Sequence, residues 1–136
     1  MNNIYYFIRH AHSSYTPDEI NRPLSDKGQA SLAQLEFLTD KSIAAIYSSP
    51  YRRAIQTVDP LAQSLKLAIQ TDKRLIERKL SSQAIADQDF EQCLMQLWSQ
   101  PAFSLVDGES NQQAQQRALA LLHELESKHQ NEEIII

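Results

Sequence analysis

The sequence predicts an α/β fold, a three-layer α/β/α sandwich around a mainly parallel central sheet. Three observations carry that expectation. Residues 4–8, 43–47 and 134–136 are short apolar runs of the length and composition of buried strands. Longer stretches between them place apolar residues at helical spacing. The two kinds of segment alternate along 136 residues, enough chain for a single domain, residues 1–136, with one core.

Ile4-Tyr5-Tyr6-Phe7-Ile8 is apolar on both faces, the pattern of a central parallel strand, and stops at Arg9-His10. A polar loop follows from His12 to Arg22. Ser25 then suits a helix N-cap, with Asp26 in the first turn and an apolar face through Ala30, Ala33, Phe37 and Leu38, widened by Leu32 and Leu35. Ile43-Ala44-Ala45-Ile46-Tyr47 is the second strand, ended by Ser48-Ser49-Pro50. The next helix carries Ala54, Val58, Leu61, Ala62 and Leu65 on one stripe, and Pro60 is expected to kink or split it. Residues 68–71 form a weaker strand, followed by Leu75-Ile76-Glu77-Arg78.

Residues 79–107 carry the weakest pattern, with Phe90, Leu94, Leu97 and Trp98 at helical spacing and Pro101 closing the segment. Trp98, Cys93 and the leucines read as core. Asp107-Gly108-Glu109-Ser110 is a turn. The last helix has a stripe of Ala114, Ala118, Leu121, Leu122 and Leu125, with His123 and His129 expected at the surface. Ile134-Ile135-Ile136 reads as the start of another central strand.

Composition narrows the function. A net charge of −4 gives no broad basic face, so nucleic acid is not expected as a partner. No apolar run approaches the roughly 20 residues of a membrane helix, and the N-terminus lacks signal-peptide features; a cytoplasmic protein without membrane attachment is the expectation. One cysteine, Cys93, excludes an internal disulfide and a cysteine-rich metal site. Two glycines in the whole chain exclude a glycine-rich phosphate cradle, so any phosphate must be held by side chains.

In a parallel sheet, the segments after the carboxyl ends of strands converge on one edge. Here those segments supply Arg9-His10, Ser48 to Arg53, and Glu77-Arg78. Phosphoryl transfer needs cationic donors around the phosphoryl oxygens, a nucleophile in line, and a proton source for the leaving alkoxide. Two arginines, an imidazole and a carboxyl group match that need.

At this point the sequence resembles the histidine phosphatase superfamily, the phosphoglycerate mutase-like family. Arg9-His10-Ala11 is similar to its Arg-His-Gly signature. Ser48, Ser49, Arg53, Ala54, Gln56 and Thr57 follow its Ser-Ser-x-x-x-Arg-Ala-x-Gln-Thr block, and Leu75, Glu77 and Arg78 its Leu-x-Glu-Arg block. Arg22-Pro23-Leu24-Ser25 with Gly28, Gln29 and Ala30 resembles the start of the family's first helix, and Gly108-Glu109-Ser110 a later short block.

The resemblance implies a phosphoglycerate mutase-like fold and hydrolysis of a small phosphomonoester through a phosphohistidine. By position, it makes His10 the nucleophile and Glu77 the general acid and then base. Arg9, Arg53 and Thr16 become phosphate-binding candidates, Thr16 standing where many relatives have an asparagine. It implies no metal and no cofactor. The partner expected is a small phosphorylated metabolite; the oligomeric state is not readable.

Ala11 departs from the usual glycine, and the family's second histidine, after an apolar strand near the C-terminus, is not found before Ile136. The expectation is therefore an N-terminal portion of a phosphatase, with the C-terminal part of the fold missing. The alternatives are a mutase-type phosphoryl transferase and a catalytically silent fragment that binds phosphorylated ligands.

Overall fold

A computed structural model describes residues 2–136. The chain packs as two compact units, one running from the N-terminus to Ile76 together with Glu126–Ile136, the other Glu77–Leu125.

The first unit holds four parallel strands, β1 (Ile4–Tyr6), β2 (Ile43–Ser48), β3 (Ile69–Thr71) and β4 (Glu133–Ile135), in the order β1-β4-β2-β3. The isoleucine run at the end of the sequence forms a central strand, as expected. Ile134 and Ile135 are fully buried, and β4 pairs with β1 on one side and β2 on the other. The first apolar run is not central. β1 is an edge strand, and Ile4 and Phe7 are mostly exposed. Composition alone could not separate the two, because both runs are apolar throughout.

Helix α1 (Asp26–Ser31) begins at Ser25 as expected, the hydroxyl accepting from Gly28 N–H at 3.1 Å. It does not continue as an α-helix. Residues Leu32–Asp40 form a 3₁₀ segment. With three residues per turn, Leu32, Leu35 and Leu38 stack in one row, whereas Phe37 falls outside it and is 59 % exposed. The spacing of three, not the stripe that included Phe37, is the physical period here.

Helix α2 (Arg52–Leu65) continues through Pro60 without a break. Pro60 removes the amide that would bond the Gln56 carbonyl, but the ring lies on the exposed side. Val58, Leu61 and Ala62 pack with Leu38, Ile43, Ile46 and Ile135 in the core of this unit.

His129, expected at the surface, is largely buried. The Tyr47 hydroxyl donates to its Nε2 at 2.9 Å, and its Nδ1–H donates to the Glu132 carboxylate. This chain of bonds ties the segment before β4 to β2. It accounts for His129 as a structural residue.

The second unit contains α3 (Asp87–Ser99) and most of α4 (Asn111–Lys128). Of the α3 residues expected in the core, Leu97 is buried, Cys93 and Leu94 are half-buried, and Trp98 is exposed, as is Phe90, which shares their helical spacing. Leu121 and Leu125 on α4 are buried. Gly108-Glu109-Ser110 is more than a turn. A Cβ on Gly108 would fall 2.0 Å from the Leu80 carbonyl oxygen. Glu109 accepts from the Arg117 guanidinium, and Ser110 with Gln113 forms a reciprocal capping box at the start of α4 (3.1 and 2.9 Å).

Among the described residues, no helix is long and apolar enough to cross a membrane.

Candidate active site

Strand order decides which loops can meet. β1 and β2 flank β4, so the segments that leave their carboxyl ends emerge on either side of the β4 terminus. One segment carries Arg9 and His10, and the other turns into α2 and carries Arg53. Ser48 and Ser49 shape that turn: Ser48 donates to the Ser49 carbonyl at 2.8 Å, and the Ser49 hydroxyl accepts from Tyr51 N–H at 3.2 Å.

The structure brings His10 and Arg53 together. Arg53 Nε donates to His10 Nε2 at 3.4 Å, and Arg53 is 2 % exposed. His10 Nδ1 lies 2.8 Å from the Ala11 carbonyl oxygen, which can only accept, so Nδ1 carries the proton. A guanidinium can only donate, so Nε2 must present its lone pair. The ring is thus oriented with Nδ1 on the backbone carbonyl and Nε2 toward the cation, the nitrogen that faces an anion held by Arg53.

Thr57 fixes this geometry, a role the sequence did not reveal although Thr57 belongs to the Ser-Ser-x-x-x-Arg-Ala-x-Gln-Thr block. Its hydroxyl accepts from Ala11 N–H at 3.0 Å and donates to the Arg53 carbonyl at 2.7 Å. One side chain therefore couples the peptide after the nucleophile to the helix turn bearing the arginine.

Glu19 is the other residue sequence reasoning missed. Its carbonyl accepts from Arg53 Nη1 at 2.7 Å, and its carboxylate lies 3.4 Å from Arg53 Nη2. The neighbouring Ile20 carbonyl accepts the first amide of α2, from Arg52, at 2.9 Å. The 12–25 loop is held as a hairpin by a Ser13–Leu24 bridge and by Ser25 N–H on the His12 carbonyl. Gly28 permits that approach, since a Cβ there would lie 2.1 Å from the His12 carbonyl oxygen. Asp18 organises the tip by accepting from Ile20 N–H, Asn21 N–H and the Asn21 amide, and these bonds with Asn21 hold its carboxyl below the usual range. No spacing rule marks a loop glutamate as a partner of an arginine 34 residues later.

The remaining candidates are placed as follows. Arg9 is exposed. Thr16 belongs to the loop's own turn, its hydroxyl donating to the Asp18 carbonyl at 3.1 Å. Glu77 is exposed at the start of the second unit. Arg78 beside it does not serve as an ion-pair partner for Glu77 in the bonds it makes: its Nε donates to the Glu109 carbonyl at 2.8 Å, and Nη1 bonds Asn111. It anchors the backbone that carries Glu77. His12 is exposed and bonds the Ser25 hydroxyl at 2.7 Å, a structural position. Among the described residues, no group of three His, Cys, Asp or Glu side chains is placed to hold a metal ion.

Residues 5–136 match the sequence profile of the histidine phosphatase superfamily (branch 1). Among solved structures, a mycobacterial glucosyl-3-phosphoglycerate phosphatase superposes with a TM-score of 0.80 at 21% identity, over 96% of this chain and 71% of that one. YhfR of Bacillus stearothermophilus gives a TM-score of 0.82 at 24% identity, over 99% and 73%. The alpha-ribazole phosphatase of Shigella flexneri gives 0.70 at 20%, over 96% and 72%. At these identities the likeness is one of fold. No curated protein sequence matches significantly.

Proposed function

The chain belongs to the histidine phosphatase superfamily, and from that premise we propose that it hydrolyses a small phosphomonoester through a phosphohistidine at His10. The observation that supports this most is His10 Nε2 lying 3.4 Å from Nε of the buried Arg53 guanidinium, with Nδ1 2.8 Å from the Ala11 carbonyl oxygen.

The steps follow from the chemistry of these groups. A phosphate monoester entering beside Arg53 is held by charge-assisted bonds, with the exposed Arg9 as a second cation. The Nε2 lone pair attacks phosphorus, forming a P–N bond as the ester P–O bond breaks. The leaving alkoxide takes a proton from Glu77, whose assignment rests on its place in the Leu75-x-Glu77-Arg78 block. Water then attacks phosphorus, Glu77 carboxylate takes its proton, and the P–N bond breaks to release phosphate and restore His10. Arg53 stabilises charge on the equatorial oxygens in both steps, a term worth about 10²–10³ in rate per preorganised donor. Thr16 is a weaker candidate for phosphate binding, given the bond its hydroxyl already makes.

The phosphatase neighbours favour hydrolysis over mutase-type transfer, and the substrate class follows no further than a phosphomonoester. Release of nitrophenol from para-nitrophenyl phosphate tests the proposal. Activity should vanish in His10→Ala and fall by about two orders of magnitude or more in Arg53→Gln. Equal turnover by wild type and His10→Ala would overturn it.

A further inference from the structure

Arg22 is the residue of this neighbourhood that the proposed chemistry does not use. Its Nη2 bonds Glu19 Oε1, while Glu19 Oε2 lies 3.4 Å from Arg53 Nη2. One carboxylate therefore bridges two guanidiniums, and the second of these donates through Nε to the nucleophilic nitrogen. The carboxylate is an anion held between both guanidiniums. The bridge is also easily opened. The Glu19 side chain is 56 % exposed, and ion pairs of such carboxylates are worth little against water.

Arg22 carries a second sign. Its side chain is only 15 % exposed, with the Cζ 5.1 Å from the centre of the Tyr15 ring, and its Nε is buried without an acceptor. A desolvated donor left unmet is unfavourable and is satisfied by any acceptor that reaches it. A phosphoryl group offers three oxygens and more charge than a carboxylate, enough to serve Arg53 and both Arg22 nitrogens together.

We propose that Glu19 is an internal competitor for substrate phosphate, and that Arg22 is a further phosphate-binding residue which Glu19 occupies until substrate displaces it. This rests on the phosphatase reading and adds to it a third guanidinium and a built-in anion. Binding exchanges the Glu19 carboxylate for the phosphoryl oxygens on Arg22 and Arg53, and the Glu19 side chain moves into water. The Glu19 backbone stays in place, because its carbonyl bond to Arg53 does not depend on the carboxylate.

The test is titration of the full chain with inorganic phosphate, followed by calorimetry and ³¹P NMR. Glu19→Gln, which keeps size and removes charge, should bind phosphate at least about threefold tighter. Arg22→Gln should bind it about tenfold more weakly. In the double variant the gain from Glu19→Gln should shrink, because its competitor role acts through Arg22. Arg22→Lys, which keeps charge but not the fork, supplies the reading should Arg22→Gln fail to fold, and should also bind more weakly. If wild type binds phosphate and Glu19→Gln binds it no better, Glu19 is only a brace for the loop and the inference is overturned alone. Unchanged binding in the Arg22 variants overturns the role of Arg22. Absence of phosphate binding in wild type and Glu19→Gln alike removes the phosphatase reading and this inference with it.

Discussion

Replacing Thr57 with valine isolates the coupling between the nucleophile's loop and the arginine's helix. Valine keeps the β-branched shape, so packing in the buried first half of α2 changes little. It deletes the single oxygen that accepts from Ala11 N–H at 3.0 Å and donates to the Arg53 carbonyl at 2.7 Å. The second bond is expendable, since that carbonyl belongs to a helix turn with its own amide partner. The first is not. Ala11 N–H is left half-buried with no acceptor, a loss of about 1–3 kcal/mol. Partial access of water places the expected value at the lower end, about 1–2 kcal/mol by urea denaturation.

The kinetic effect should exceed the stability effect. His10 Nδ1 is aligned by the carbonyl of the same Ala11, so a loosened peptide loosens the ring. A shift of the order of 1 Å in a reacting atom costs on the order of 10²-fold in rate. Thr57→Val should therefore lower the rate of para-nitrophenyl phosphate hydrolysis by one to two orders of magnitude, mainly in kcat, with Thr57→Ser near wild type. A Thr57→Val protein within about 0.5 kcal/mol of wild type, and with unchanged kcat, refutes the coupling.

Other consequences follow from single contacts. Gly28→Ala places a Cβ 2.1 Å from a backbone oxygen of His12, so the 12–25 hairpin must move; a loss of at least about 2 kcal/mol, or failure to fold, is expected by thermal or urea denaturation. Ser110→Ala removes half of the capping box of α4 and should cost about 1 kcal/mol, read from the denaturation midpoint. Asp72 is bonded by the Arg74 guanidinium, which holds its carboxyl below the ordinary value. The folded value being the lower one, its stabilisation is complete above the ordinary carboxylate range and is lost as pH falls through the lowered value. The stability gap between wild type and Asp72→Asn should thus be constant near neutrality and close in acid; a gap that widens in acid contradicts the assignment.

How much of this could be read from residues alone depends on the range of the physics involved. Strand runs and the Ser25 cap are local, and local patterns specify them. The isoleucine run was legible as central because nothing in it is polar. β1 has the same composition yet lies at the edge, since position in a sheet is set by neighbours and not by the strand itself. Leu32, Leu35 and Leu38 carried their period of three in plain view, but two turns of leucines fit a 3.6-residue stripe nearly as well. His10 and Arg53 were legible as a pair through the order of motifs and the convergence of parallel strand ends. Glu19 and Thr57 were not, because each matters through one contact with a residue far along the chain. Arg22 was visible only as part of a helix-start motif, and the burial of its side chain emerges only from the packing of the loop.

The central claim is that Nε2 of His10, lined up by the Ala11 carbonyl and faced by Arg53, accepts the phosphoryl group. Rapid quenching of the protein with para-nitrophenyl phosphate, under conditions that preserve phosphohistidine, tests it by intact mass and ³¹P–¹H NMR. One acid-labile phosphoryl group on Nε2 of His10, absent from His10→Ala, is the predicted result. A folded protein that turns over the ester with no such adduct, or with the phosphoryl group on another residue or on Nδ1, contradicts the account.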